Sequence, residues 1–570
     1  MLRRCYRGMM VGAMGAMLVA GCSTPHRYGA APHQSEAPAE AAEPASSKEL
    51  DKKQVEAHAH YAQGLIYDLD DEPALALKEF SAAAADDPSD EELVMELTRR
   101  YVQLKQPEQA LEVLMKAVAV PGASGEMYGR LAAVYSRLGK HDQAIQAAQT
   151  AIKLSPQSLA GYENLYVIHL DDNKPREALM ALDRAAKAPD ASAEFLIELG
   201  GLYANLERRA PLMKESINSN GLAVLNQAAK LNPPDPRAKM KLADDFNLLN
   251  DPTNAAKIYE QLLQSENGIA AMRGDVRSRL AEIYLRDHDS KKAAEQLEAV
   301  IQDDPANSQA YYLLGSLAYD EQKLPKAIDY FQKTLLLSDD FEQVYYDLAG
   351  AQINVDKPGE ALATLNKARA KFTPGFMVEF LTGLAYGKEK DFTNSLKHFM
   401  AAELAGRTTE PGRLNRYFYF EAGAAFERTG NVDEAQRYFE KSLQLSPDFA
   451  EAMNYLGYML ADRGVKLDRA RELIEKAVKL EPKNAAYVDS LGWVFYRLNR
   501  LEEALAQEQK AIELSPEPDP TLYDHLGDIY AALKQSDKAR EAWQKSLSLE
   551  TNDQVRKKLD NAGGKKTSNS

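Results

Sequence analysis

The stretch from Arg416 to Phe449 constrains the fold more than any other part of the sequence. It reads as two amphipathic helices joined by a tight turn at Gly430. The small residues Gly423 and Ala435 would let the two helices cross closely, and Phe439 would fill the space around the crossing. One such hairpin cannot bury its own apolar face, so the pattern predicts a fold built from stacked copies.

Copies of this pattern recur in phase along the chain, and we count fourteen between residues 56 and 551. The small residue of the second helix recurs in thirteen of them: Ala76, Ala110, Ala144, Ala178, Ala255, Ala293, Ala327, Ala361, Ser395, Ala435, Ala470, Ala504 and Ala539. The fifth copy carries an insertion of about nine residues, and Asp553 to Asp560 is predicted to add a short capping helix. Fourteen copies leave no room for another folded domain.

The order of large, small and aromatic residues in these copies resembles the tetratricopeptide repeat. That resemblance implies an all-α fold, an α-solenoid in which about fourteen helical hairpins form a right-handed superhelix. We expect no strands. The resemblance also implies a concave groove lined by the first helix of each hairpin.

The N-terminus has the features of a targeting segment. Arg3, Arg4 and Arg7 precede a short apolar run, Gly8 to Ala20, which ends directly before Gly21-Cys22. This junction resembles a bacterial lipobox, which implies cleavage before Cys22 and diacylation of its thiol. The alternative is an ordinary signal peptide with a chance cysteine. In lipoproteins of this kind a serine after the cysteine, here Ser23, implies the outer membrane, facing the periplasm.

These features divide the chain into four predicted segments. A lipoprotein signal peptide occupies residues 1–21, and a disordered tether rich in Ala, Pro, Glu and Ser occupies 22–55. The repeat array spans 56–551, and a capping turn with a polar tail spans 552–570. Contact with the membrane would be through the lipid anchor only.

Composition and motifs argue against several functions. A formal net charge of −16 disfavours nucleic acid as a partner, because phosphates require a basic face. The two cysteines are Cys5 and Cys22, so the mature chain would have no thiol for disulfides or metal. The sequence lacks H-E-x-x-H, G-x-S-x-G and phosphate-loop motifs. We therefore predict no catalytic residue, no metal site, no cofactor and no small-molecule substrate.

One helical position, directly after the first large residue of each copy, is predicted to face the groove. We take this position in the last seven copies as a candidate binding position. In the last three copies we add the residue four positions later. The candidate binding residues are Tyr312, Tyr346, Phe380, Phe420, Asn454, Tyr458, Asp489, Trp493, Asp524 and Asp528. This set predicts an aromatic ladder leading to a polar, acidic end, suited to an extended peptide or a helix. The alternative is that the aromatic residues only pack between repeats.

The C-terminal copies resemble a bacterial family of tetratricopeptide outer-membrane lipoproteins through the runs NYLGYMLADRG, YVDSLGWVFYRLNRLEEAL and DHLGDIYAALKQSDKAREAW. Some members resemble adaptors that bind a periplasmic C-terminal-processing protease and deliver cell-wall hydrolases to it. The resemblance implies a non-catalytic scaffold or adaptor that recruits periplasmic protein or peptide partners, such as a protease or a cell-wall enzyme. Alternatives are a structural subunit of a secretion or polysaccharide-export assembly, and a glycan-binding or enzymatic groove.

Overall fold

The computed structural model describes residues 47–265 and 269–563, and within these ranges it contains twenty-nine α-helices and no strand. The helices pair into fourteen antiparallel hairpins followed by one last helix, which confirms the predicted all-α repeat fold. The predicted signal peptide, Cys22 and the first part of the tether lie outside the described residues. None of the described helices is both long and apolar enough to cross a membrane.

The described residues form two compact units, and the first ends at Pro305. It contains seven hairpins, whose helices are α1 (Ser47–Leu69), α2 (Pro73–Asp86), α3 (Glu91–Gln103), α4 (Pro107–Val118), α5 (Gly125–Arg137), α6 (His141–Leu154), α7 (Ala160–Asp171), α8 (Pro175–Ala185), α9 (Ala193–Arg209), α10 (Lys214–Leu231), α11 (Pro236–Leu248), α12 (Pro252–Gln264), α13 (Arg273–Arg286) and α14 (Ser290–Asp303).

The second unit begins at Ala306 and contains the remaining seven hairpins and the final helix. Its helices are α15 (Ser308–Asp320), α16 (Leu324–Leu337), α17 (Glu342–Asn354), α18 (Pro358–Lys371), α19 (Phe376–Lys388), α20 (Phe392–Thr408), α21 (Arg416–Arg428), α22 (Val432–Leu445), α23 (Ala450–Asp462), α24 (Leu467–Leu480), α25 (Ala485–Arg497), α26 (Leu501–Leu514), α27 (Pro520–Ala532), α28 (Ser536–Leu549) and α29 (Asp553–Gly563).

The turns inside all but one of the hairpins are built in the same way. In thirteen of the fourteen turns the chain has a residue of positive φ, such as Gly430 at 83° or Lys390 at 62°. The next residue then donates its backbone N–H to the first helix, as Asn431 does to the carbonyl of Phe426 at 2.9 Å. This satisfies a helix-terminal carbonyl and reverses the chain within three or four residues.

Close approach of the two helices depends on the small residues that the sequence pattern contains. A Cβ atom on Gly423 would lie 2.9 Å from Cε1 of Phe439, and one on Gly315 would lie 2.6 Å from Cε1 of Phe331. Both rings are almost fully buried. The ring of the second helix therefore packs directly on the backbone of the first.

Three segments differ from the expectation. Residues 47–55, assigned to the tether, are helical and form the start of α1, because this stretch is rich in the strong helix formers Lys, Glu and Gln. The insertion in the fifth repeat lengthens α9 to 17 and α10 to 18 residues around a 3₁₀ turn at Pro211–Met213. The capping helix runs to Gly563, three residues further than predicted.

Candidate functional site

A cavity of about 570 Å³ lies in the unit from 306 to 563, lined mainly by first helices and in part by the second helices α16 and α20. Its walls come from the eighth to the twelfth repeats, so no single hairpin builds it. The lining residues are Gln322, Leu324, Asn354, Gly383, Leu384, Gly387, Lys388, Phe392, Ser395, Phe399, Glu421, Ala424, Ala425, Arg428 and Tyr455.

Small residues make room for this cavity, and apolar ones form part of its wall. Gly387 lies in the last turn of α19, and Ala424 lies in the middle of α21, where a larger side chain would fill the space. Leu384, Phe392 and Phe399 contribute apolar wall on the tenth hairpin. The cavity can therefore receive an apolar side chain of a partner.

Charged groups surround the apolar wall. The exposed Lys388 has its Nζ atom 3.8 Å from a carboxylate oxygen of Asp356. The guanidinium of Arg428 lies 5.8 Å from the centre of the Phe392 ring, where a cation is favourable. Glu421 also lines the cavity, where burial raises the pKa of its carboxyl group and Lys388 opposes the rise. Arg428 also pairs with Glu427 at 3.5 Å, so a partner carboxylate at either cation would compete with Glu427 or Asp356.

The four residues of the predicted aromatic ladder are packed among other side chains of the array. Phe380 is 2 % exposed and stacks at 5.5 Å on Phe376. Phe420 is 3 % exposed, and its ring centre is 5.5 Å from that of Phe449 and 5.7 Å from that of Tyr455.

The two tyrosines of the ladder also have partners inside the array. The hydroxyl of Tyr346 donates to Glu342, and that of Tyr312 donates to Asp347 at 3.1 Å. The ladder therefore has a packing role, and its role in ligand binding stays a prediction.

The predicted polar end is held together by contacts within the last repeats. Asp489 accepts a hydrogen bond from Nδ1 of His525 at 2.6 Å, and the ring of Trp493 stacks on that of His525 at 4.3 Å. Tyr458 is half-buried, with its ring 6.3 Å from the same imidazole. Asn454 is half-buried, and its Oδ1 has no hydrogen-bond partner.

The acidic pair of the fourteenth repeat is neutralised by the capping helix. Lys558 of α29 donates to Oδ1 of Asp524 at 2.8 Å and to Oδ2 of Asp528 at 2.6 Å. Burial raises the pKa of Asp528, and Lys558 opposes that rise. The acidic end is thus an intramolecular ion-pair site in this structure, while its role in binding a partner stays a prediction.

Sequence reasoning missed Lys558, His525 and Glu508, because the groups they face lie 17 to 36 residues away in the chain. For His525, burial alone would lower the pKa, but the Asp489 carboxylate outweighs it and the pKa is raised. Only Glu508 left a signal in the sequence, since it follows Ala504 at the spacing where the other repeats have an apolar residue.

Comparison with known proteins agrees with this architecture. Family models described as Tetratricopeptide repeat match residues 125–158, 278–340, 417–449, 466–517 and 520–553. A TPR repeat-containing protein of Pseudomonas aeruginosa is 25 % identical over 219 residues, which are 38 % of this chain and 36 % of that protein. The chain thus matches about a third of the length of this relative.

Two solved structures show similarity at low sequence identity. The Cut9–Hcn1 hetero-tetramer of APC/C matches with a TM-score of 0.40 and 17 % identity, covering 83 % of this chain and 96 % of that one. Naa15/Naa10 bound to HypK matches with a TM-score of 0.36 and 16 % identity, covering 79 % and 67 %. The hairpins and the repeat matches, rather than these scores, carry the conclusion that the chain contains tetratricopeptide repeats.

Proposed function

We propose that the chain is a non-catalytic scaffold, anchored to the bacterial outer membrane through Cys22, that recruits periplasmic proteins through the cavity on its first helices. Tetratricopeptide folds generally bind protein or peptide partners. The observation that carries the proposal is the cavity of about 570 Å³, built by five successive repeats and flanked by Lys388 and Arg428.

The partner segment is defined by the chemistry of the cavity. An apolar side chain would bury itself against Leu384 and Phe392, which supplies most of the affinity. A carboxylate beside it would face Lys388 and Arg428, which orients the segment and speeds association. The partner is a periplasmic enzyme such as a protease or a cell-wall hydrolase, with this segment in an accessible part of its chain.

The anchor contributes by restricting where the partner is held. A lipid on Cys22 confines the array near the membrane, so two enzymes bound to it would meet at a raised effective concentration. No step of catalysis is assigned to the scaffold itself. Its effect on a bound enzyme would be one of location and orientation.

The cavity can be tested by photocrosslinking in cells with a photoreactive residue in place of Gln322, a lining residue that is not one of the two cations. We expect discrete crosslinked partners that disappear when Ala424→Phe fills the cavity. The matched control is Ala370→Phe, which places the same side chain at an exposed position of the second helix α18. Equal crosslinking in the two phenylalanine variants would refute the cavity as the binding site.

The anchor is tested separately with Cys22→Ser. We expect the wild-type chain in the outer-membrane fraction, with a lipidated N-terminal peptide in mass spectrometry, and the variant in the soluble periplasmic fraction. A Cys22→Ser chain that stays with the outer membrane would contradict lipid anchoring, whatever the crosslinking result.

A further inference from the structure

The thirteenth repeat breaks a rule that the other thirteen repeats follow. Four residues after the small residue of the second helix, or at the equivalent place in the fifth repeat, the others bury an apolar side chain: Phe80, Leu114, Ala148, Leu182, Leu225, Tyr259, Leu297, Phe331, Leu365, Phe399, Phe439, Ile474 and Trp543. In the thirteenth repeat the residue at this position is Glu508. A carboxyl group therefore occupies a place that otherwise belongs to the core.

Glu508 is fully buried beside Asp489. Its side chain is 0 % exposed, and neither carboxyl oxygen has a hydrogen-bond partner. Gly492 makes room for it, because a Cβ atom at that residue would lie 3.1 Å from Oε2. Burying a carboxyl group is costly, and the cost can be offset either by a proton shared with Asp489 or by a bound cation.

Two further ligand-type side chains face this carboxyl group. Asp489 on α25 and His525 on α27 are 8 % and 6 % exposed, and one ligand atom from each of these residues and from Glu508 lies within 4.8 Å of the others. Three different helices thus converge on one point. Trp493, stacked on the imidazole, shields this point and fixes the ring plane.

We propose that Asp489, Glu508 and His525 form a binding site for one divalent transition-metal ion, with zinc as the best fit. Zinc accepts a histidine nitrogen and carboxylate oxygens at about 2.0–2.2 Å, and three such protein ligands leave one position for water. The charge of two carboxylates balances that of the ion. Ligand atoms in such a site are roughly 3.3 Å apart, so Asp489 and His525 would separate slightly and Glu508 would move inward.

The bound ion would have a structural consequence. Because its ligands come from both helices of the thirteenth repeat and the first helix of the fourteenth, it would tie these two repeats together. In an array stabilised by contacts between neighbours, such a link resists fraying from the C-terminal end. The site is separate from the cavity of the eighth to twelfth repeats, so the proposal does not depend on the proposed function.

The test is titration of the purified full-length chain, first treated with a chelator, with Zn²⁺ in a calorimeter. We expect one saturable site, and loss of affinity by about 100-fold or more when a ligand is removed. The informative variant is Glu508→Leu, which restores the apolar residue of the other repeats and should fold. The matched control is Asp524→Asn, an acid one residue from His525 that is paired with Lys558, and it should bind zinc like the wild type.

A second readout places the ion at the site. In a Trp543→Phe background, the fluorescence of Trp493 should change with zinc in step with the calorimetric curve. Absence of a saturable site in the wild type would overturn the proposal, as would equal binding by Glu508→Leu. If Glu508→Leu fails to fold, His525→Gln replaces it, and zinc binding by that variant with wild-type affinity would have the same meaning.

Discussion

Replacing Asp245 by asparagine should stabilise the sixth repeat at neutral and alkaline pH. Asp245 lies on α11, is 4 % exposed, and its Oδ2 has no hydrogen-bond partner. Burial raises the pKa of this carboxyl from 3.8 to about 7; Lys241 opposes the rise, and Asp244 and Glu198 add to it. Asparagine has the same shape and no charge to bury.

The sign of the effect follows from proton linkage. The native state holds the Asp245 proton more tightly than the unfolded chain does, so the contribution of this group to stability falls as the pH rises from about 4 to 7. The gap from 3.8 to about 7 is roughly 3 pKa units, each equivalent to 1.36 kcal/mol. Asp245→Asn should therefore gain about 4 kcal/mol at pH 8 and almost nothing at pH 4.

Hydrogen exchange measured by mass spectrometry is the suitable assay, because repeat arrays do not always unfold in one step. The opening free energy of peptides from α11 and α12, corrected for intrinsic exchange rates, is compared at pH 5 and pH 8. A gain that is the same at both pH values would refute the reasoning. Asp244→Asn is the control, and it should destabilise at both, because Asp244 accepts hydrogen bonds from Tyr259 and from Nε of Arg279.

Three further changes test the packing of the unit from 306 to 563. Phe420→Ala should lower the local stability of α21 to α23 by about 3–5 kcal/mol, measured by hydrogen exchange, since it removes a buried ring. If hydrogen exchange in these helices is unchanged, the ring of Phe420 does not stabilise the packing. Lys558→Met should speed exchange in α29 by releasing two acids, at a cost of about 1–2 kcal/mol; an unchanged α29 would contradict the cap. Lys390→Gly should raise the melting temperature, because glycine removes about 1 kcal/mol of backbone strain at this positive φ. A lower melting temperature would show that Lys390 is not strained.

Much of the fold could be predicted because the contacts that define each repeat join residues close together in the sequence. The spacing of Gly423, Ala435 and Phe439 within one stretch is enough to define a hairpin, and recurrence of that spacing defines the stack. The turns show the limit of this local reading. Some of the positive-φ positions are glycines such as Gly430, which the sequence pattern indicates. Others are residues such as Lys390, whose positive φ cannot be predicted from the residue type.

The candidate site was less accessible to sequence reasoning. The position chosen for Phe420 was predicted to face a groove, yet its ring is in contact with Phe449 and Tyr455 of neighbouring elements. Helical periodicity gives the direction of a side chain relative to its own helix axis. It does not say whether the next repeat covers that direction, because coverage depends on how closely two repeats approach.

The sequence by itself therefore determined the class of fold, the number of hairpins and the small residues at their crossings, since each of these depends on contacts within about 34 residues. Only the tertiary structure decided which polar groups meet. Three helices of two repeats contribute the cluster of Asp489, Glu508 and His525. The capping helix contributes Lys558, which donates a hydrogen bond to Asp524. Such encounters are set by the angle and distance between stacked repeats, which no single repeat encodes.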